Sequence, residues 1–290
     1  MNTPDQISKP TRLRSLSVED MPNCSVSDRL VLELVTDEET DLNQLSSIVE
    51  ENPSLAALVI GLANSAYFSA PNPIHSVSDA IIKVLGMRMV RSIILSVILG
   101  KTLDLSKCPN FSVTDYWTDA LAIGRFSQLL TARSEFSRSI SPEQVYLCGL
   151  LCHFGQLVLI HHYPREMNEL IDVCDQDADA FIAAQEEILG VTESQAGGLM
   201  GRRWLLPEEV VMTMQHCFDT NYRGEHWHVS QLVGAVGRMV MALRRGEEAT
   251  KLPENIELIL RKPSSQCRLE ELKELREEFK LVANHLVALG

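Results

Sequence analysis

Apolar residues recur along this chain at intervals of three and four, and polar caps punctuate them. Asp41 with Gln44 forms a capping-box pattern, behind which Leu42, Leu45, Ile48 and Val49 make one apolar stripe. Asn52-Pro53 reads as an N-cap with proline in the first turn, leading into Leu55, Leu58, Val59 and Leu62. Ser76 with Asp79 can cap a helix bearing Ala80, Ile81, Val84 and Leu85, and Gly86 permits a left-handed exit or close helix contact. Ser141-Pro142-Glu143 opens the helix predicted to carry His153. Leu206-Pro207-Glu208-Glu209 opens another and Pro253-Glu254 a third, with acidic first turns that complement the helix dipole. No stretch alternates cleanly, and there is no Asn-Gly or Asp-Gly hairpin signal. The pattern predicts an all-α protein.

The same pattern divides the chain. Residues 1–24, rich in Pro, Ser and alternating charge, are expected to form a flexible arm. Residues 25–250 read as one structural unit with an N-terminal lobe over 25–110 and a second lobe over 111–250. Residues 251–290 form a C-terminal helical extension. Within it Leu272, Leu275, Phe279, Val282, Leu286 and Leu289 make a heptad stripe flanked by Glu and Lys. The stripe is under three full heptads, too short for an independent coiled coil. Packing onto the body of the same chain is therefore the expectation, and a homodimer through 268–289 the alternative.

Charge and composition narrow the partners. The 290 residues carry a net charge of −13 from 39 acidic and 26 basic side chains, which disfavours nucleic acid and anionic membranes as partners. Local basic groups at Lys83, Arg88 and Arg91, at Arg202 and Arg203, and at Arg244 and Arg245 read as solvated helix faces. The apolar run 81–100 is broken by three basic residues, and the uncharged run 147–160 is only 14 residues long, so a buried helix is expected there and no membrane span. Residues 1–10 are polar, and seven scattered cysteines suggest reduced thiols, so a cytoplasmic location is expected. Cys148 and Cys152 stand beside His153 without a second pair at zinc spacing, and read as core residues.

A set of ordered motifs then carries a resemblance. Asn64-Ser65-Ala66-Tyr67, Ile74, Ser76, Ala80-Ile81 and Leu85-Gly86 are followed by Trp117, Gly149-Leu150-Leu151, His153, Gly155 and Leu157-Val158-Leu159. Over roughly residues 22–222 the chain resembles the HDOD family, bacterial signalling relatives of the HD-superfamily metal-dependent phosphohydrolases. The resemblance implies an HD-domain-like helical bundle with an N-terminal helical lobe packed on it. It also implies a lobe seam near Asn64, Ser65, Tyr67 and Trp117, where a small ligand or signalling proteins would act. Asn64 and Ser65 have a structural reading too, as residues that end an apolar helix and satisfy its free carbonyls.

Carried onto this chain, the hydrolase pattern is degenerate. Adjacent His and Asp ligands of the family fall at His153-Phe154, and a benzyl ring has no lone pair for a hard cation. Ala120 stands where a first histidine is implied, and Glu193, within the segment 190–197, where another is frequent. His216-Cys217 keeps only the first member of a His-His pair. His153, Glu193 and His216 are thus the vestigial candidates. No catalytic residue and no cofactor is expected. The alternative is a hydrolase of nucleotides or phosphate esters in which these residues hold a divalent metal. His161-His162 and His226-Trp227-His228 are assigned no site. Gly197, Gly198 and Gly201 read as close helix packing, since no phosphate-binding loop or nucleophile elbow is present.

Overall fold

The computed structural model describes residues 16–22, 31, 33–35, 37, 39–65, 68, 72–134, 138–174, 178–246, 256 and 269–287. All regular structure among them is helical. The caps act as the sequence predicts. Asp41 and Gln44 exchange hydrogen bonds of 2.9 Å and open α1 (Leu42–Glu50). Asn52 Oδ1 accepts from the Leu55 amide at the start of α2 (Pro53–Ala63), and Ser76 Oγ from that of Asp79 at the start of α3 (Val77–Ala80). A π-helical turn, Ile81–Leu85, extends α3 to Gly86, whose φ of 77° allows the sharp exit into α4 (Met87–Lys101).

Nine further helices follow among the described residues: α5 (Val113–Ala132), α6 (Pro142–Leu151), α7 (Phe154–His162), α8 (Pro164–Cys174), α9 (Ala178–Leu189), α10 (Glu193–Arg203), α11 (Glu208–His216), α12 (Trp227–Arg244) and α13 (Leu269–Val287). The long helix α5 is the axis, packed by α6, α12 and α13. It crosses α6 at two glycines. A Cβ on Gly149 would stand 2.6 Å from Gly124 Cα, so the backbones touch and any side chain would force them apart. The crossing of α7 with α10 is tighter still, because a Cβ on Gly155 would lie 1.8 Å from the Glu193 carbonyl oxygen. Contacts of α4 with α6, and of α13 with α2, join the N-terminal helices to this bundle.

Three expectations change. The arm predicted over 1–24 does not extend through 16–22, where Ser17 and Asp20 cap a 3-10 turn, Val18–Asp20, and Met21 is buried. Two side chains closing their own cap are enough to order a segment whose overall composition reads as loose. The helix opened by Ser141 stops at Leu151. His153 is instead the N-cap of α7, at φ −98° and ψ 10°, and Cys152 Sγ donates to the Gly149 carbonyl at the bend. Taken together, α6 and α7 make one stretch, Pro142–His162, that is long and apolar enough to cross a membrane, against the 14 residues read from sequence; 72% of its apolar window is buried inside the fold. The expected packing of the heptad stripe holds: Leu272, Leu275, Phe279 and Val282 of α13 are buried, with α5 and α2 as the packing partners. The side chains of Leu286 and Leu289, and the helix start at Pro253-Glu254, lie outside the described residues.

Candidate functional site

Because α6 ends two residues before it, at Leu151, His153 projects from a break between helices into the space enclosed by α5, α9, α10 and α12. A cavity of about 220 Å³ lies there, lined among others by Tyr116, Asp119, Ala120, His153, Glu193 and Phe218. His153 Nδ1 is 3.1 Å from Glu193 Oε1. Glu193 opens α10 behind the Thr192 cap and is itself clasped by α9: Gln185 Nε2 donates to its Oε2 at 3.2 Å, and Gln185 Oε1 accepts from its amide at 2.9 Å. Glu193 is only 4% exposed. Burial opposes charge on His153, but the Glu193 hydrogen bond and negative charge outweigh it and hold the imidazole above its ordinary range. The far side of the ring is confined too. Phe218 packs on it edge-on at 5.0 Å, and a Cβ at Gly237 would stand 3.2 Å from Nε2.

Asp119, one turn before Ile123 on α5, accepts from Arg276 Nε of α13 at 2.7 Å and from Arg244 Nη1 of α12 at 3.3 Å. Burial pushes its carboxyl up, while the two guanidiniums pull it down. Arg244 was expected on a solvated face and instead closes this cluster. Its neighbour Tyr116 is 5% exposed, and its hydroxyl is buried with no hydrogen-bond partner. Burial, with Cys152 and Glu193 nearby, pushes the phenol well up, so it stays neutral.

The structure brings together two of the three vestigial candidates. His153 and Glu193 meet in the cavity. His216 does not line it: its ring stacks on Tyr222 at 3.7 Å with an interplanar angle of 3°. The remaining positions do not fit a divalent cation. Phe154 is fully buried in the core, Ala120 presents a methyl group, His153 Nδ1 is occupied by Glu193, and Asp119 is occupied by two arginines. Among the described residues no three His, Cys, Asp or Glu side chains converge as a cation would require.

The seam residues divide differently. Asn64 accepts from the Ile74 amide and donates to the Ile74 and Ile60 carbonyls, so it clamps the loop after α2 to the helix end. The Ser65 hydroxyl is buried without a partner. Trp117 is buried against α4, where a Cβ on Gly100 would lie 3.1 Å from its ring; it packs the lobes together and presents almost no surface to a partner. Tyr67 lies outside the described residues. Phe68, next to it, takes the Arg125 guanidinium over its ring at 4.8 Å, which ties this loop to α5.

Sequence reading missed Gln185, Tyr116, Arg244 and Arg276 as parts of the site. Gln185 and Tyr116 sit inside helical stripes that look like ordinary core. Arg276 meets Asp119 across 157 positions of sequence, with no local pattern to announce it.

Comparison with known proteins bears directly on this arrangement. The HDOD domain profile matches residues 21–219. This chain belongs to the HDOD family. Its fold is shared by a candidate signal transduction protein from Marinobacter aquaeolei VT8, at TM-score 0.75 and 24% identity over 95% of this chain and 62% of that one. It is shared also by a candidate phosphohydrolase from Shewanella amazonensis SB2B, at TM-score 0.71 and 19% identity over 94% of this chain and 96% of that one. An uncharacterized protein of Treponema pallidum (strain Nichols) is 20% identical over 263 residues, 90% of this chain. The chain spans 50% of that relative's length.

Proposed function

We propose that this HDOD domain is a non-catalytic regulatory module of bacterial signal transduction, working through signalling proteins or a small ligand. The observation that carries the proposal is Phe154: the position where the hydrolase pattern needs an anionic donor holds an apolar ring buried in the core. The engagement of His153 Nδ1 by Glu193 leaves the surviving imidazole a single nitrogen, Nε2, for any other partner. The description of the Marinobacter relative as a candidate signal transduction protein points the same way. The same proposal sets the module in the cytoplasm.

The second reading is a metal-dependent phosphohydrolase, supported by the Shewanella relative's description and by the presence of His153, Glu193 and Asp119 in the lining of one cavity. Elemental analysis of protein purified without added metal, paired with a phosphodiester hydrolysis assay, separates the two. We expect metal well below one equivalent and the same background rate for the wild type and His153→Ala. Stoichiometric Fe, Mn, Zn or Ni with turnover lost in His153→Ala would establish the hydrolase.

A further inference from the structure

A second hollow lies where the N-terminal helices meet the bundle. It is a groove of about 520 Å³ between α4 on one side and the N-terminal turns of α6 and α11 on the other. Half of its lining is apolar: Val35, Met87, Leu95, Leu147, Pro207 and Val210. The other half is polar and largely committed within the protein. Arg91 Nη2 donates to the Thr40 carbonyl at 2.7 Å, Ser92 Oγ to the Arg88 carbonyl at 3.0 Å, and Gln144 Nε2 to Glu209 Oε1 at 3.1 Å. Arg88 of α4 reaches Glu143 of α6 at a loose 4.0 Å. Two arginines thus stand against two glutamates, and the lining is neutral in a protein of net charge −13.

Three large apolar side chains are exposed among the described residues, and two of them adjoin this lining in the chain. Leu34, 40% exposed, precedes Val35. Leu205, 90% exposed, comes two residues before Pro207 and so stands within about 7 Å of it. Leu205 is also strained. It follows Trp204, the C-cap of α10, at φ 54°; its amide donates to the Arg202 carbonyl and that of Leu206 to the Gly201 carbonyl. Such a left-handed helix exit normally takes Gly or Asn, and a bulky side chain there is an outlier. A leucine both strained and left in water is unfavourable twice over in a lone copy, and burial against an apolar surface offsets both. The groove offers that surface and the room. A cavity of about 150 Å³ takes up benzene in another protein, so 520 Å³ admits a leucine side chain with the turn that carries it. A knob and a hole side by side are self-complementary, because a two-fold axis between them sets each knob in the other copy's hole. The neutral lining lets two acidic copies meet there without like-charge repulsion. We propose that the groove and Leu205 are the two halves of a self-association surface, through which two copies of this chain pair about a two-fold axis, each Leu205 seated in the other's groove.

Sedimentation velocity of the full chain, over concentrations reaching about 200 µM, tests it. A weak dimer is expected, with a Kd of roughly 1–100 µM. Leu205→Gly removes both knobs and should weaken the dimer about a hundredfold. It also relieves the left-handed strain, so the dilute variant should melt no lower than wild type. Met87→Lys sets a charge in the groove and should weaken the dimer likewise. Mixing the two variants brings one intact knob to one intact groove, so the mixture should associate about tenfold more tightly than either variant alone. Melting curves establish that each variant is folded, and should Met87→Lys not fold, Leu205→Gly carries the test by itself. A chain that stays monomeric throughout would overturn the proposal and leave the groove to a different partner or to none. A dimer that survives Leu205→Gly would overturn it too, since pairing then uses another face, such as an exchanged α13. So would a mixture no tighter than its components. The sedimentation reads neither metal nor turnover, so its failure leaves the non-catalytic reading standing, and the failure of that reading leaves the dimer standing.

Discussion

Arg276 donates its Nε to Asp119 Oδ1 at 2.7 Å, tying the last helix of the chain to the wall of the cavity. Arg276 is 18% and Asp119 13% exposed at the side chain, so the pair is largely shielded from water. A second tie, the two-pronged contact of Arg133 with Glu271 at 2.8 and 2.9 Å, has better geometry, but Arg133 is 53% exposed. Burial should decide between them. Truncating a buried partner strands the other charge, whereas an exposed pair contributes little. We predict that Arg276→Ala costs about 2 kcal/mol, with Arg244 still covering part of the Asp119 charge, and that Arg133→Ala costs less than about 1 kcal/mol. Urea unfolding measures both, and equal losses would refute the ranking.

Two glycines of the bundle predict opposite responses to a methyl group. At Gly155 an added Cβ would sit 1.8 Å from the Glu193 carbonyl oxygen and 2.7 Å from the Gly197 amide, both backbone atoms of α10. Helices α7 and α10 must then separate, and the His153–Glu193 contact goes with them. At Gly198 the obstacle is the side chain of Gln215, at 2.3 Å, which can rotate away at the loss of its bond from Arg202. Gly155→Ala should therefore cost at least about 3 kcal/mol. Gly198→Ala should stay within about 1 kcal/mol of wild type, since the gain in helix propensity offsets the displaced side chain. Thermal melts of the two variants give the comparison. A mild Gly155→Ala would mean that this crossing is looser than its geometry.

Residues that act through local pattern were legible in the sequence. Asp41 and Gln44, Asn52, Ser76 with Asp79, and Ser141 all cap helices where their spacing places them, because a cap is a contact between residues three apart. The heptad stripe of α13 likewise shows which face is buried, although its covering by α5 and α2 had to come from the structure. What failed was of two kinds. The break at Cys152-His153 falls inside an unbroken apolar run, with no Pro or cap to mark it, and it alone aims His153 at the cavity. The other kind is long-range: Gln185 with Glu193, and Asp119 with Arg244 and Arg276, are matched by packing of distant helices, so periodicity within any one of them is silent. His216 shows the converse. Its place in the sequence suggested a ligand, and α11 turns it onto Tyr222 instead.

The pair of His153 and Glu193 carries a pH signature. The folded protein holds the imidazole above the ordinary value of 6.5, and the unfolded chain does not. Below 6.5 both states carry the proton and the pair contributes in full. As pH rises through and beyond 6.5 the unfolded chain loses its proton first, so the folded state binds more protons and stability falls until the folded imidazole also titrates. The stability advantage of wild type over His153→Gln should therefore be largest at pH 5.5–6, shrink through the neutral range, and level off once the folded pKa is passed. Glu193→Gln, which removes the charge, should flatten the trend. Melting temperatures of the three proteins across this range provide the measurement, and an advantage that grows with pH would contradict the assigned direction.

Tyr116 offers the last prediction, and one that does not depend on finding a ligand. Its hydroxyl has left water without gaining a partner, and such a group costs about 1–3 kcal/mol. Phenylalanine fills the same space, since the ring is held edge-on by Trp117 at 5.2 Å and at a tilt by Phe111 at 5.9 Å. Removing the oxygen should thus stabilise the free protein, by about 1 kcal/mol or roughly 2–4 °C in Tm for a chain of this size. Paired melts of wild type and Tyr116→Phe decide it: a variant no more stable than wild type means that the hydroxyl is satisfied in solution.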